Sequence, residues 1–104
     1  MFEKNLSLNE LYDLYGLLLS EKKREFFELY YREDLSLSEI ALQAGLTRQG
    51  VRDLLARAAA ELESFEAAMG LLEKKKRLGE ISGLLAERRD PVLDGIAAEL
   101  SGLL

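Results

Sequence analysis

The sequence predicts an all-α protein organised around a helix-turn-helix, and three observations carry that expectation. The 104 residues are 48% hydrophobic and 32% charged, with leucine and alanine dominant and a single proline, Pro91. That is a composition of helices rather than strands. Apolar residues recur at three- and four-residue intervals along most of the chain, the mark of amphipathic helices. Between Ser36 and Leu55 two such segments meet at Gly45, where a helix stops and a left-handed backbone is cheapest for glycine.

Taken in order, Ser7 and Glu10 have the spacing of a capping box. Leu8, Leu11, Tyr12, Tyr15, Leu18 and Leu19 then line one side of a first helix over about 8–19, with its tyrosines at the core edge. Ser20 caps a second helix over about 21–32. Its face is Phe26, Phe27, Tyr30 and Tyr31, half of the four tyrosines and four phenylalanines in the chain, and aromatics at this spacing form a packing face. Glu33, Asp34 and Leu35 make an acidic turn. Its carboxylates suit the positive end of the next helix better than they suit half of a metal site.

The central motif starts with a second capping box, Ser36 with Glu39. Leu37, Ile40, Ala41 and Ala44 form its first apolar face, and Leu46 is placed to plug the corner after Gly45. Thr47 caps the second helix, whose stripe is Val51, Leu54, Leu55 and Ala58. A small Ala41 before the turn and a branched Val51 after it are what a tight two-helix corner requires.

The stripe continues through Val51, Leu55, Ala58, Leu62, Phe65, Met69 and Leu72, a heptad-like seam. The expectation is one helix over about 48–75, roughly 40 Å long at 1.5 Å per residue, which Gly70 weakens without stopping. Its half from Leu62 to Leu72 then needs another surface, either the C-terminal segment or a second copy of the chain. Glu73–Arg77, EKKKR, is a basic run near the end of that helix, where cations suit the negative end of the dipole; this is preferred over a phosphate-contacting patch. Leu78, Ile81, Leu84 and Leu85 give a short helix. Asp90-Pro91 restarts a last one, lined by Val92, Leu93, Ile96, Ala97, Leu100, Leu103 and Leu104. Glycines at 79, 83, 95 and 102 make this C-terminal third the most mobile part unless it docks. Two regions are expected: a helix-turn-helix domain over 1–62 and a helical extension over 63–104 for dimerisation or docking.

The chain has no histidine and no cysteine, so it lacks the commonest general base, thiolate metal ligands and a cysteine nucleophile. No enzyme, cofactor or metal site is expected. The N-terminal stretch is acidic and amphipathic, unlike a signal peptide, and no apolar run has membrane-spanning length, so a cytoplasmic protein is expected. The candidate working surface is the outward side of the second motif helix: Thr47, Arg48, Gln49, Arg52 and Arg57. Arginine and glutamine near a helix N-terminus suit guanine and adenine edges in a major groove, and Lys22, Lys23 and Arg24 could add backbone contacts. Asp53 within that face and a net charge of −5 count against DNA and towards a protein partner.

The segment LLLSEKKREFFELYYREDLSLSEIALQAGLTRQGVRDLLAR resembles region 4 of bacterial sigma factors. Leu18–Ser20, Lys23, Arg24, Leu29–Tyr31, Ser36–Ala41, Gly45, Thr47–Gln49 and Val51 resemble, more closely, the YlxM family of small bacterial proteins over about residues 6–75. This resemblance implies a sigma factor region 4-like, winged-helix-like fold in a cytoplasmic homodimer. It also implies a regulatory role in the signal recognition particle pathway, through the targeting GTPase or its ribonucleoprotein. The alternative is a sequence-specific DNA-binding regulator using Arg48, Gln49 and Arg52, and a third reading is a dimeric helical scaffold. Two departures stand out: Gly50 replaces a helix former, and the C-terminal third matches poorly.

Overall fold

The computed structural model describes residues 6–103. Among these the helices are α1 (Leu6–Tyr15), α2 (Glu21–Tyr31), α3 (Leu37–Ala44), α4 (Arg48–Met69), α5 (Leu71–Glu87) and α6 (Pro91–Gly102). A 3-10 turn, Gly16–Leu18, joins α1 to α2, and there is no strand among the described residues. Two compact units meet in sequence between Met69 and Gly70, rather than at residue 62. Leu104, assigned above to the last apolar face, lies outside the described residues.

In the first unit α4 is the spine, packed by α1, α2 and α3. Its seam residues Val51, Leu55, Ala58 and Leu62 are each 0% exposed. Each large side chain buried this way stabilises the fold by about 1.5–3 kcal/mol. Phe26, Tyr30, Leu37, Ile40 and Ala41 close the core around Val51 and Leu55. Phe27 is stacked between Tyr12 at 4.3 Å and Tyr31 at 4.4 Å. Burial, then the bond to Glu28, pushes the Tyr12 hydroxyl up to about 12; burial does the same for Tyr31.

Several details differ from expectation. α1 is described from Leu6, so Ser7 lies within its first turn. The first helix stops at Tyr15, and Leu18, in the 3-10 turn, points outward at 58% exposure. Tyr15 is not at the core edge but buried: its hydroxyl donates to Glu66 at 2.7 Å and its ring meets Phe65. α1 therefore lies along the later half of α4, the half expected to need another surface. Ala44 is exposed rather than part of the apolar face, and Leu46 is only partly covered.

The largest difference is at Gly70. The long helix ends at Met69 because Gly70 takes φ 61°, ψ 30°, a left-handed conformation that interrupts the helical ladder. Leu71 then begins a separate 17-residue helix that absorbs the short segment expected over 78–85.

In the second unit α5 and α6 pair as a hairpin. Ser82 and Ala97 are its buried residues, with the Ser82 hydroxyl donating to the Ala97 carbonyl at 2.9 Å and lying 3.0 Å from the Ser101 hydroxyl. Small side chains let the helices approach closely. Asp90 caps α6, accepting from the Val92 N–H at 2.9 Å, with Pro91 in the first position as its spacing implied. Leu84, Val92, Ile96 and Leu103 remain exposed.

Candidate nucleic-acid interface

The corner that presents the candidate residues is built by local chemistry. The Ser36 side chain accepts from the Glu39 N–H at 3.1 Å, while the Glu39 carboxylate accepts from the Ser36 N–H at 3.0 Å. The Ser36 backbone N–H, and then its side chain, hold the Glu39 carboxyl below its usual range. Gly45 ends α3 at φ 67°, as its position in the motif demands. The Leu46 N–H then returns to the Ala41 carbonyl at 3.0 Å, tying the turn back onto α3.

Thr47 caps α4, its hydroxyl accepting from the Gly50 N–H at 2.9 Å. A Cβ on residue 50 would stand 3.1 Å from that hydroxyl. The glycine costs about 1 kcal/mol of helix propensity relative to alanine, and it leaves the capping oxygen unobstructed.

Thr47, Arg48, Gln49, Arg52, Asp53 and Arg57 are all exposed, on the side of α4 away from buried Val51, Leu55 and Ala58. Among the described residues Arg48, Arg52 and Arg57 make no ion pair or side-chain hydrogen bond. Three guanidiniums are thus presented to solvent from about three turns of one helix. Gln49 is held: its amide donates to the Asp53 carboxylate at 2.8 Å. The same carboxylate lowers the positive potential of the face. The i, i+4 spacing of Gln49 and Asp53 was the available signal for this pair.

The three upstream cations have different surroundings. Lys22 is exposed, its ammonium 6.0 Å from the centre of the Phe26 ring. With Glu21, Glu25, Phe26, Ala44 and Leu46 it lines a shallow depression beside the turn that leads into Thr47. Lys23 instead turns inward to an ion pair with Glu61 on α4, which fastens α2 to the spine. Arg24 is half-buried, its Nε without a hydrogen-bond partner among the described residues.

The described residues hold no group of three or more acidic side chains arranged for a metal ion. No helix among them is long and apolar enough to cross a membrane.

A family model described as "Putative helix-turn-helix protein, YlxM / p13 like" (UPF0122) matches residues 2–94. The chain belongs to the UPF0122 family. A UPF0122 protein of Halalkalibacterium halodurans is 40% identical over 104 residues, covering 100% of this chain and 94% of its own length. One from a Thermoanaerobacter species is 41% identical over 110 residues, covering 94% of each chain. Another, from Desulforamulus reducens, reaches 49% over 82 residues, covering 75% of this chain and 70% of its own. The UPF0122 match runs through α5 and past Pro91, so it takes in most of the C-terminal third that had looked divergent.

Proposed function

We propose that this UPF0122 chain is a regulatory nucleic-acid-binding protein whose working surface is the solvent side of the first turns of α4. The observation that carries the reading is the set of exposed guanidiniums of Arg48, Arg52 and Arg57, unpaired among the described residues. Thr47 and the start of α4 would meet a phosphate, with Gln49 and the arginines facing base edges. Lys22, beside the turn, is available for a backbone contact; Lys23 and Arg24 contribute through packing. The test is a mobility-shift series on duplex DNA and structured RNA over a range of salt. The intact chain is expected to bind at low salt. Arg48→Ala with Arg52→Ala should weaken binding and flatten the plot of log affinity against log salt by about 1.8, two released counterions. No shift of any nucleic acid at low salt would overturn the reading.

A second reading rests on the YlxM resemblance over about residues 6–75. In it the same face regulates the signal recognition particle pathway by meeting the targeting GTPase or its ribonucleoprotein. Retention of that GTPase on the immobilised chain, insensitive to nuclease and lost with Arg48→Ala and Arg52→Ala, would favour it over direct nucleic-acid binding. Homodimerisation through the C-terminal helices belongs to the same proposal, supported by the exposed Leu84, Val92, Ile96 and Leu103. Light scattering is expected to give twice the mass of one chain, and a monomer would exclude it.

A further inference from the structure

We infer that α5 carries a second phosphodiester-binding element, centred on Lys75 and Lys76. In a helix running on to residue 75 this basic run would sit at the negative end of the dipole and need no other reason to exist. The left-handed Gly70 removes that explanation. Lys74, Lys75, Lys76 and Arg77 fall instead in the first two turns of α5, far from the negative end of its dipole. All four are exposed. Arg77 is answered by Glu80 at 3.0 Å. Lys75 and Lys76 make no ion pair or side-chain hydrogen bond among the described residues. Two exposed ammoniums, consecutive in sequence and without a partner among the described residues, are left available to an external polyanion. The second unit carries as many basic as acidic side chains, six of each from Gly70 to Leu104, so these lysines are not submerged in negative charge.

Ammoniums on flexible stems meet phosphates as point charges and do not read bases. The element therefore adds affinity without sequence preference, and its tether to the first unit raises its effective concentration once α4 has engaged. The inference rests on nucleic acid being the ligand of α4, and the test separates the two.

The full-length chain is compared with three double variants: Lys75→Ala with Lys76→Ala, Arg48→Ala with Arg52→Ala, and Arg88→Ala with Arg89→Ala. The last removes equal charge elsewhere in the same unit. Each is titrated with duplex DNA, an RNA hairpin and vesicles of anionic phospholipid, at several salt concentrations. Loss of Lys75 and Lys76 is expected to flatten the salt dependence on nucleic acid by about 1.8, equally for unrelated sequences. The Arg88 and Arg89 pair should leave it unchanged. Thermal unfolding of the lysine variant should hold, since both side chains are exposed; a merely structural role would lower it.

An unchanged slope for the lysine variant, with binding lost in the α4 variant, overturns this inference and leaves the α4 reading standing. Binding that depends on the lysines and not on α4 overturns the α4 reading alone. Equal loss on removing Arg88 and Arg89 reduces the effect to net charge and overturns the element. Binding to vesicles but to no nucleic acid overturns both.

Discussion

Leu55 and Leu84 are the same residue on amphipathic helices of one chain, yet Leu55 is 0% exposed and Leu84 57%. The first sits on a helix packed by three others; the second belongs to a hairpin whose helices pair chiefly with each other. Two helices can cover one stripe each, and here the covered residues are Ser82 and Ala97, with Ile81, Leu85, Leu93 and Leu100 half-buried. The contrast teaches that periodicity reports an apolar face but not whether anything covers it. A unit spanning Gly70 to Leu104 is also shorter than the ~40 residues below which domains usually need an added constraint or a partner.

The sharpest way to break this contrast is to delete matched side chains. Phe27→Ala should cost about 3–5 kcal/mol and Leu55→Ala about 2–5 kcal/mol in urea unfolding followed by circular dichroism. Leu84→Ala should stay within about 0.5 kcal/mol for the isolated monomer. A comparable loss at Leu84 would mean that the hairpin is covered after all. Hydrogen exchange gives the same comparison without mutation. Amides of α4 around Leu55 should open only with global unfolding, and those of α6 by smaller local openings.

Next come the two left-handed glycines. Gly45→Ala meets no atom within 4 Å, so its cost is conformational alone, about 1–2 kcal/mol. Gly70→Ala should cost less, because α4 and α5 can escape the strain by fusing into one helix. Ellipticity at 222 nm should then rise, whereas Gly45→Ala should not raise it.

Smaller effects lie in the caps and the face. Ser36→Ala should cost about 1 kcal/mol at neutral pH. The Glu39 carboxyl is held below its usual range when folded, first by its bond from the Ser36 backbone. Its contribution is therefore present above the ordinary carboxylate pKa and is lost as pH falls through the lowered value. The difference between the parent and Glu39→Gln should shrink in acid, and a gap that widened would contradict the sign. Asp53→Asn should tighten nucleic-acid binding a few-fold at low salt by removing the one carboxylate on the face; weaker binding would show that orienting Gln49 matters more.

The motif was legible because its determinants are local. Ser36 with Glu39, Gly45, Thr47, and the buried set Leu37, Ile40, Ala41, Val51 and Leu55 follow from capping geometry and period, and each stands where those rules put it. The candidate arginines were legible for the same reason, as the complement of a buried stripe. The fate of Lys23 was not, since its partner Glu61 is 38 residues away, nor was the burial of Tyr15 beside Glu66, 51 residues away. Gly70 was misread because a helical glycine and a left-handed one look alike in sequence. The choice depends on whether the seam beyond Met69 has anything to pack on. That single residue also removed the lysine run beside it from a helix C-terminus.

The most direct test of the central claim is an amide chemical-shift titration of the labelled full-length chain with duplex DNA at low salt. The largest changes are expected at Thr47–Arg52 and around Arg57, with core amides such as Leu55 and Leu62 moving little. Changes confined to other surfaces, with Thr47–Arg52 unmoved, would contradict it.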